Sequence, residues 1–430
     1  MPKSAETLAA RGRAPRAAGL PGAALLGPAL VAGVAYVDPG NVASNMTAGA
    51  RYGYLLVWVV LVANVIAWLV QYLSAKLGVV TGQSLPELLG DRLHHRTARR
   101  AYWLQAELVA MATDIAEVIG GAVALQLLFG VPLLLGGAIT GVASMLLLAV
   151  QGRRGARPFE FVVIGLLAVI ALGFLAGLVV APPSPTGALA GLMPRFTDSG
   201  SVLLATSILG ATIMPHAIYA HSALTRDRFG SAPAHGATST DRPARTPIAQ
   251  LLAVTRWDVT LAMVVAGAVN VGMLLLAATT LPGVAGTDTL EGAHAALSAQ
   301  LGPVVGVLFA VGLLASGLAS TAVGAYAGAE IMSGLLRVRI RMPLRRLITL
   351  VPALLILGLG VDPTFALVLS QVALSFGIPF ALIPLVALTA QRRTLGAHVN
   401  RPWTTIAGIV AAALLVTLNG VLLWLLLTGS

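Results

Sequence analysis

The sequence predicts an all-α polytopic membrane protein with eleven transmembrane helices, of which the first ten form two inverted five-helix repeats. Three observations predict this class: a low charged fraction, long apolar runs that recur along the chain, and two matching interruptions of those runs. Of the 430 residues, 57% are hydrophobic and 10% are charged, and the mean hydropathy is +0.89. A soluble protein needs roughly 25% charged residues to cover its surface, so that class is excluded.

The apolar runs recur from about residue 20 onward, and each is long enough to cross a hydrocarbon core of ~30 Å. We predict spans at residues 21–49, 54–80, 102–129, 131–150, 158–180, 200–225, 255–281, 301–334, 344–361, 364–390 and 403–428. The expected organisation is a cytoplasmic tail at 1–20, a first repeat at 21–180, an external loop at 181–199, a second repeat at 200–390 with a long cytoplasmic loop at 226–255, and a loop with the last helix at 391–430. The polar stretches are too short for a separate soluble domain.

The basic residues determine the predicted orientation. The net charge is +11, and all but two of the 27 Lys and Arg residues fall in alternate loops or at the adjoining helix ends. The exceptions are Arg51 and Arg195. Because cytoplasmic loops of membrane proteins collect basic residues, we expect a cytoplasmic N-terminus and an external C-terminus. The same placement accounts for the charge without a nucleic-acid partner.

The chain has no cysteine, which excludes disulfides and thiolate metal ligands. We also expect no resident cofactor. Only Lys3 and Lys76 are lysines, a composition typical of GC-rich bacterial genomes, so the predicted location is a bacterial inner membrane. The sequence contains no HExxH zinc motif, no GxSxG elbow and no nucleotide-binding loop, so neither an enzyme nor an ATP-driven pump is predicted.

Two spans are interrupted by proline in the middle of the membrane. The first reads VAGVAYVDPGNVASNM and the sixth reads LGATIMPHAIYAHSAL. Proline removes a backbone donor and disfavours a helical conformation at the residue before it, here Asp38 and Met214. Since proline suits the first turn of a helix, we expect Pro39 and Pro215 each to restart a helix after an unwound stretch.

The two interruptions have the same spacing. Ala35-x-x-Asp38-Pro39 in the first span corresponds to Ala211-x-x-Met214-Pro215 in the sixth. Spans 1–5 and 6–10 would then form two halves, and because five is odd the halves lie in opposite orientations. Interrupted helices at corresponding places in two halves are a strong sequence indication of a transporter's midplane binding site.

The residues at the interruptions favour a cation. Unwound backbone would free the carbonyl oxygens of Ala35 and Ala211 at the negative ends of the leading half-helices. Asp38 adds a charge, Asn41 an amide oxygen and Met214 a thioether. Magnesium and calcium prefer shells made only of oxygen, whereas this set fits a borderline-soft divalent transition metal.

The third span carries three acids: Glu107, Asp114 and Glu117. At about 100° per residue they share one face of the helix. Acids in lipid are costly, so this face must turn toward water or cations. Two readings stay open from the residues alone: a polar seam paired with arginines, or a proton route.

Other ionisable residues lie close to these elements. His216 follows Met214 by two residues and titrates in a useful pH range. His221 lies about 140° further round the helix, so we treat it as secondary. Two acids near cytoplasmic ends are expected to form ordinary ion pairs with Arg256 or Arg337: Asp258 and Glu330.

The two motifs resemble those of the Nramp family of proton-coupled divalent metal transporters. Asp38-Pro39-Gly40-Asn41 is similar to the family's first-helix motif, Met214-Pro215-His216 to its sixth-helix motif, and GLASTAVGAYAGAEIMSG at 317–334 to its long eighth helix. The likeness extends from about residue 22 to 428. It implies a LeuT-like fold and alternating access. We expect a monomer that imports Mn²⁺ or Fe²⁺, with Cd²⁺, Co²⁺ and Zn²⁺ as further cargo.

The resemblance also implies roles for individual residues. The implied metal ligands are the side chains of Asp38, Asn41 and Met214, the carbonyls of Ala35 and Ala211, and, in some states, Gln371. The implied proton route runs from the Asp38 region and His216 through Asp114 and Glu117, with Glu107 on the same face, toward Arg345 and Arg346. Magnesium-transporting relatives lack the methionine, so its presence favours transition metals.

A sodium- or proton-coupled amino-acid or solute symporter of the same fold is the alternative. It would also break the first and sixth helices. However, an anionic Asp38 would repel a substrate carboxylate. A channel is not favoured, because the sequence contains no filter-like segment.

Overall fold

The computed structural model describes residues 27–154, 156–229, 247–338 and 342–428. The described residues are helical almost throughout. The helices are α1 (Pro28–Val34), α2 (Pro39–Tyr52), α3 (Val57–Thr81), α4 (Leu85–Arg92), α5 (Arg96–Phe129), α6 (Leu133–Arg154), α7 (Ala156–Val180), α8 (Pro185–Ala190), α9 (Ser199–Thr212), α10 (Pro215–Phe229), α11 (Ile248–Thr280), α12 (Leu290–Leu301), α13 (Pro303–Leu336), α14 (Met342–Gly358), α15 (Pro363–Thr389), α16 (Arg392–Leu395) and α17 (Pro402–Thr428), with 3-10 turns at Ala35–Val37, Gly53–Leu56 and Gly396–His398.

Eleven helical spans account for this architecture within the described residues. The pairs α1–α2 and α9–α10 form the first and sixth spans, and nine single helices form the others: α3, α5, α6, α7, α11, α13, α14, α15 and α17. Seven segments in these ranges are long and apolar enough to cross a membrane by length and composition, and shorter apolar stretches lie in α1, α6 and α7. The predicted multi-pass all-α fold is confirmed.

The packing follows the inverted repeat. The first span packs on the seventh through α2 and α11, and correspondingly the sixth packs on the second through α10 and α3. The fifth span packs on the eighth, and the third packs on the tenth. The third and eighth spans, α5 and α13, lie against each other at the centre. The first two pairings each have a counterpart five spans further along the chain, as two related halves require.

Some boundaries differ from the predicted ones. The loop expected at 226–255 is shorter, because α10 continues to Phe229 and α11 begins at Ile248. Residues 230–246 within it, the tail at 1–20 and the start of the first span at 21–26 lie outside the described residues. Four short helices between the spans were not predicted: α4, α8, α12 and α16. The start of α4 has a recognisable signal, a capping box between Ser84 and Glu87.

Candidate metal site

The first interruption opens the helix just before proline. After α1, residues Ala35–Val37 form a 3-10 turn, and Asp38 is extended at φ −72° and ψ 168°. Pro39 is the first residue of α2, as predicted. The Asp38 carboxylate caps this new helix, since its Oδ1 accepts a hydrogen bond from the Asn41 backbone N–H at 2.7 Å.

The second interruption is shorter. Helix α9 ends at Thr212, Ile213 leaves the helical region at φ −110° and ψ 58°, and α10 starts at Pro215. Ala211 therefore still lies in the last turn of α9 instead of in an unwound stretch. Its carbonyl is freed for another reason: the residue four positions on is proline, which has no N–H to donate. The same relation holds between Ala35 and Pro39.

The two interruptions meet in one polar cluster. The Asn41 side-chain amide donates to the Ala211 carbonyl at 2.8 Å and to Asp38 Oδ1 at 3.0 Å. Gln371 on α15 donates to the other carboxylate oxygen, Asp38 Oδ2, at 3.3 Å. The Thr212 hydroxyl donates to Asn41 Oδ1 at 3.4 Å. The structure thus brings together Asp38, Asn41, Ala211 and Gln371, all with 0% exposure.

Ala35 and Met214 lie in the two interruptions themselves, and both are fully buried. Met214 directly precedes the restart of α10, so its position relative to proline mirrors that of Asp38. In the part of the chain that the structure describes, no three His, Cys, Asp or Glu side chains are grouped so that they could hold a metal ion. A metal bound here would depend on one carboxylate together with neutral oxygens and sulfur.

Neighbouring helices hold the opened backbone through residues that were not predicted. Asn270 on α11 donates to the Tyr36 carbonyl at 2.9 Å, and the Ser316 hydroxyl on α13 donates to the Val37 carbonyl. Both are polar residues in the middle of apolar spans. That position was the available signal, because an intramembrane polar side chain needs a partner.

Glycines let the surrounding helices approach the interruptions. A Cβ atom on Gly40 would lie 1.6 Å from Gln371 Nε2, and one on Gly210 would lie 1.9 Å from the Gln371 carbonyl oxygen. A Cβ on Gly120 of α5 would lie 2.1 Å from the Pro39 ring. Glycine therefore lets α2 and α9 lie directly against α15, and lets α2 also lie directly against α5.

The three acids of α5 face two buried arginines of α14. Arg345 binds Glu107 at 2.8 Å and lies 3.6 Å from Asp114. Arg346 binds Asp114 at 2.8 Å and Glu117 at 3.3 Å. The predicted common face is confirmed, and the arginines are 4% and 1% exposed, so they do more than mark the cytoplasmic side.

The two histidines of α10 take different places. His216 Nδ1 lies 3.1 Å from the Thr113 hydroxyl, next to Asp114 on α5, so it connects the second interruption with the acidic face. His221 Nδ1 lies 2.5 Å from Gln71 Oε1, and Gln71 donates to the Tyr36 hydroxyl in the first interruption. His221, treated as secondary from sequence, is thus part of a buried chain that reaches the first interruption.

The two remaining acids have partners that were not foreseen. The Asp258 carboxylate accepts from the Gly27 and Ala29 backbone N–H groups at 3.2 and 2.9 Å, and so holds the start of α1. Glu330 pairs with Arg226 at 3.0 Å, whereas the Arg337 expected for it pairs with Asp91 at 3.1 Å. The ion pair predicted between Glu330 and Arg337 was wrong.

Both sides of the buried cluster are closed. At one end of the helix bundle Arg51 binds Asp288 at 2.9 Å, and the Tyr52 hydroxyl donates to Asp198, the N-cap of α9, at 2.7 Å. At the other end Arg226 joins α10 to α4 and α13 through Glu87 at 2.9 Å and Glu330. A molecule with this geometry must move before anything can enter or leave the cluster.

Residues 29–425 match the family described as natural resistance-associated macrophage protein-like, Nramp. This chain belongs to the Nramp family. It is 59% identical over 405 residues to a divalent metal cation transporter MntH of Mycobacterium tuberculosis (strain H37Rv), covering 94% of this chain and 92% of that protein. A protein of the same name from Deinococcus radiodurans is 48% identical over 406 residues, with 94% and 90% covered. The family resemblance seen in the sequence is confirmed.

Solved structures agree on the fold. The crystal structure of a manganese transporter from Eremococcus coleocola, in complex with an aromatic bis-isothiourea substituted compound, matches with a TM-score of 0.78 and 30% identity, covering 91% of this chain and 84% of that one. MhsT in complex with L-phenylalanine matches with a TM-score of 0.60 at 15% identity, covering 91% and 98%, which is a likeness of fold alone. This Nramp protein therefore has the expected LeuT-like fold and is a multi-pass membrane protein with bacterial relatives.

Proposed function

We propose that this chain is a proton-coupled secondary transporter that imports divalent transition-metal cations by alternating access. Mn²⁺ and Fe²⁺ are the main proposed cargo, and Cd²⁺, Co²⁺ and Zn²⁺ are further substrates. The Nramp family and the divalent metal transporters among its relatives support this function. The observation that carries the proposal is the buried cluster in which two broken helices bring one carboxylate, an amide and a freed carbonyl together.

Asp38, Asn41 and Met214 are the proposed side-chain ligands, with the Ala35 and Ala211 carbonyls completing the shell. Asp38 supplies the charge that offsets dehydration of a dication, and the Met214 thioether favours transition metals over Ca²⁺ and Mg²⁺. The Asn41 amide now points its N–H₂ at Ala211, so it must rotate to offer its oxygen. The ion is cargo, and the proposal includes no resident cofactor.

Gln371 is the proposed ligand from α15. It now donates to Asp38 Oδ2, and this hydrogen bond occupies the carboxylate oxygen that does not cap α2. An arriving cation would replace the Gln371 N–H at that oxygen and could then be met by the Gln371 side-chain carbonyl. The glutamine thus exchanges a hydrogen bond for a coordination bond.

The proton route is proposed to run along α5. Glu107, Asp114 and Glu117 face two guanidinium groups, so this cluster has one carboxylate more than its arginines can neutralise. An excess acid in the membrane is best accommodated by a proton. His216, held against Thr113, connects this face with the second interruption, and Arg345 and Arg346 stabilise the charge that remains after the proton leaves.

We further propose a monomer in a bacterial inner membrane with a cytoplasmic N-terminus. The alternative, an amino-acid or other solute symporter, is supported by likeness of fold alone, as with MhsT. The anionic Asp38 at the centre of the cluster counts against a substrate carboxylate.

Uptake of Mn²⁺ into proteoliposomes tests the proposal. Asp38→Asn should abolish uptake, because a neutral amide cannot offset the charge of a dehydrated dication, and retained uptake would refute the role of Asp38. A panel of divalent cations competing with Mn²⁺, with and without a pH gradient, would rank the cargo. Competition by an amino acid in place of metals would favour the alternative.

A further inference from the structure

Helix α15 contains two prolines in its interior, Pro379 and Pro384. Each removes the N–H that would pair with the carbonyl four residues earlier, so the carbonyls of Ser375 and Phe380 lose their usual helical partners. These residues follow Gln371 on the same helix, toward its cytoplasmic end. Two hydrogen bonds of the α15 backbone are therefore missing just beyond the residue that reaches Asp38.

Asn419 of α17 replaces the first missing bond. Its side-chain amide donates to the Ser375 carbonyl at 3.0 Å, and its Oδ1 accepts from the Ser375 hydroxyl at 2.9 Å. Both residues are buried, with exposures of 5% and 1%. A reciprocal pair of this kind in an apolar span is a specific connection between two helices.

Tyr102 of α5 replaces the second. Its hydroxyl donates to the Phe380 carbonyl and also lies 3.0 Å from the Tyr219 hydroxyl on α10. Side chains from three different helices are thus arranged around the stretch of α15 that lacks its own backbone bonds.

We propose that residues 375–384 are a hinge about which the external half of α15 tilts, and that Asn419 and Tyr102 are positioning residues that hold it closed. Bending costs little where backbone hydrogen bonds are already absent, and prolines are the usual place for a helix to kink. The inference rests on the proposed function, because it assigns one motion of alternating access.

The external half of α15 is tightly connected to the cluster. Its backbone at Gln371 and Ser375 lies directly against Gly210, next to the Ala211 carbonyl, and its Gln371 side chain binds Asp38. Ser207 of α9 donates to the Val368 carbonyl at 3.2 Å. Tilting this half outward would withdraw Gln371 from Asp38 and open the space between α9 and α15 from the external side.

The absence of cysteine allows a direct test. Ser207→Cys places a buried thiol between α9 and α15, and a membrane-impermeant thiol reagent added outside right-side-out vesicles measures how often the external side opens. In this background, Asn419→Leu and Tyr102→Phe should speed modification. Loss of a net contribution of about 1 kcal/mol per hydrogen bond corresponds to about fivefold.

Pro379→Ala should act in the opposite direction. It returns an N–H to the Ser375 carbonyl, adds a bond that bending would break, and should slow modification by a similar factor. The matched control is Pro352→Ala in α14, which also removes an intrahelical proline and should leave the rate unchanged.

A faster modification rate in Asn419→Leu together with a slower rate in Pro379→Ala would support the hinge, because general loosening of the fold would change both rates in the same direction. If both variants change the modification rate in the same direction, or if their rates equal that of the Pro352→Ala control, the hinge is refuted. Modification needs no metal, so this outcome is independent of Mn²⁺ uptake. Retained uptake in Asp38→Asn would refute the role of Asp38 in metal transport and leave the hinge standing.

Discussion

Asp38 uses its two carboxylate oxygens for different purposes. Oδ1 caps α2 through the Asn41 N–H at 2.7 Å, and Oδ2 accepts the longer hydrogen bond from Gln371 at 3.3 Å. The first contact fixes the carboxylate relative to the half-helix, while the second is the easier one to exchange. One residue can therefore remain anchored while its outer oxygen changes partner.

Met214→Ala tests the role of sulfur in selectivity. We expect Mn²⁺ uptake to remain measurable, because the carboxylate and neutral oxygens stay, while competition by Ca²⁺ should strengthen roughly tenfold, or ~1.4 kcal/mol. The matched control is Met273→Ala, an equally buried methionine of α11. Unchanged selectivity in Met214→Ala would show that Met214 only fills space and does not bind the metal.

Asp114→Asn tests the proton route. Removing one acid leaves two carboxylates for Arg345 and Arg346, so no excess acid remains to accept a proton, and we expect Mn²⁺ uptake to lose its dependence on a pH gradient. Paired measurements of proton and Mn²⁺ flux would check this. If Mn²⁺ uptake still depends on the pH gradient, the acids of α5 and the arginines of α14 form a structural polar cluster and not a proton route.

Asp198→Asn is the control for that experiment. Hydrogen bonds from Tyr52 and the Ser201 N–H lower the pKa of Asp198 below its usual value of about 4. The carboxylate contributes its full stabilisation above that usual value and loses it only as pH falls through the lowered pKa. It therefore stays ionised between pH 5 and 7, and Asp198→Asn, which keeps a good N-cap, should leave the pH profile of uptake unchanged.

At this scale the sequence predicted the residues with unusual chemistry and missed their supports. Asp38, Asn41 and Met214 stand out because they flank prolines in apolar spans. Asn270 and Ser316 bind carbonyls of the first interruption from spans far away in the sequence, and no local pattern predicts such a contact. The pairing of Arg226 with Glu330 was missed for the same reason.

Among the elements, proline determined what could be predicted. Proline acts on the backbone locally, through its missing N–H. The predicted starts of α2 at Pro39 and of α10 at Pro215 are therefore both observed. The length of each interruption was not predictable, because it depends on what binds the freed carbonyls. The first therefore includes a 3-10 turn, whereas the second covers only Ile213 and Met214.

Gly210→Ala tests how closely α9 and α15 must pack. The added Cβ would lie 1.9 Å from a backbone carbonyl that cannot rotate away, so α15 must shift and carry Gln371 with it. We expect a loss of about 1–3 kcal/mol in stability and a large loss of Mn²⁺ uptake, measured by thermal unfolding in detergent and in proteoliposomes.

Gly165→Ala in α7 is the matched control, since a Cβ there would meet nothing within 4 Å. It should be neutral or slightly stabilising, because alanine favours a helix over glycine. Equal stability and equal Mn²⁺ uptake in the two variants would mean that α15 can shift without disturbing the polar cluster around Asp38.

Across the whole molecule, a few contacts at each end of the helix bundle close access to the buried polar cluster. At the end of α2, Tyr52 binds Asp198 of α9, and Arg51 binds Asp288 in the loop before α12. At the opposite end of the bundle Asp258 holds the start of α1 and Arg226 joins α10 to α13. The ends of both broken helices are thus held by hydrogen bonds or ion pairs to elements outside the metal site.

Tyr52→Phe tests the external tie. Removing the hydroxyl leaves the ring in place and releases α2 from the N-cap of α9, so the Ser207→Cys thiol should react faster with an external reagent. The change should be small, because exposed hydrogen bonds contribute little. Tyr54→Phe is the control, since that hydroxyl binds Thr279 and the Ser184 N–H instead of α9. Equal rates in both variants would show that the Tyr52 contact does not hold the closed state.

The complete burial of Asp38, Asn41 and Met214 has an electrical consequence. Each 100 mV across a membrane amounts to about 2.3 kcal/mol per elementary charge, and a dication experiences twice that. A continuous wet path through the protein would let this potential discharge through unpaired ions. Because these three side chains are out of contact with solvent, we expect the closed molecule to conduct few ions when no cargo is bound.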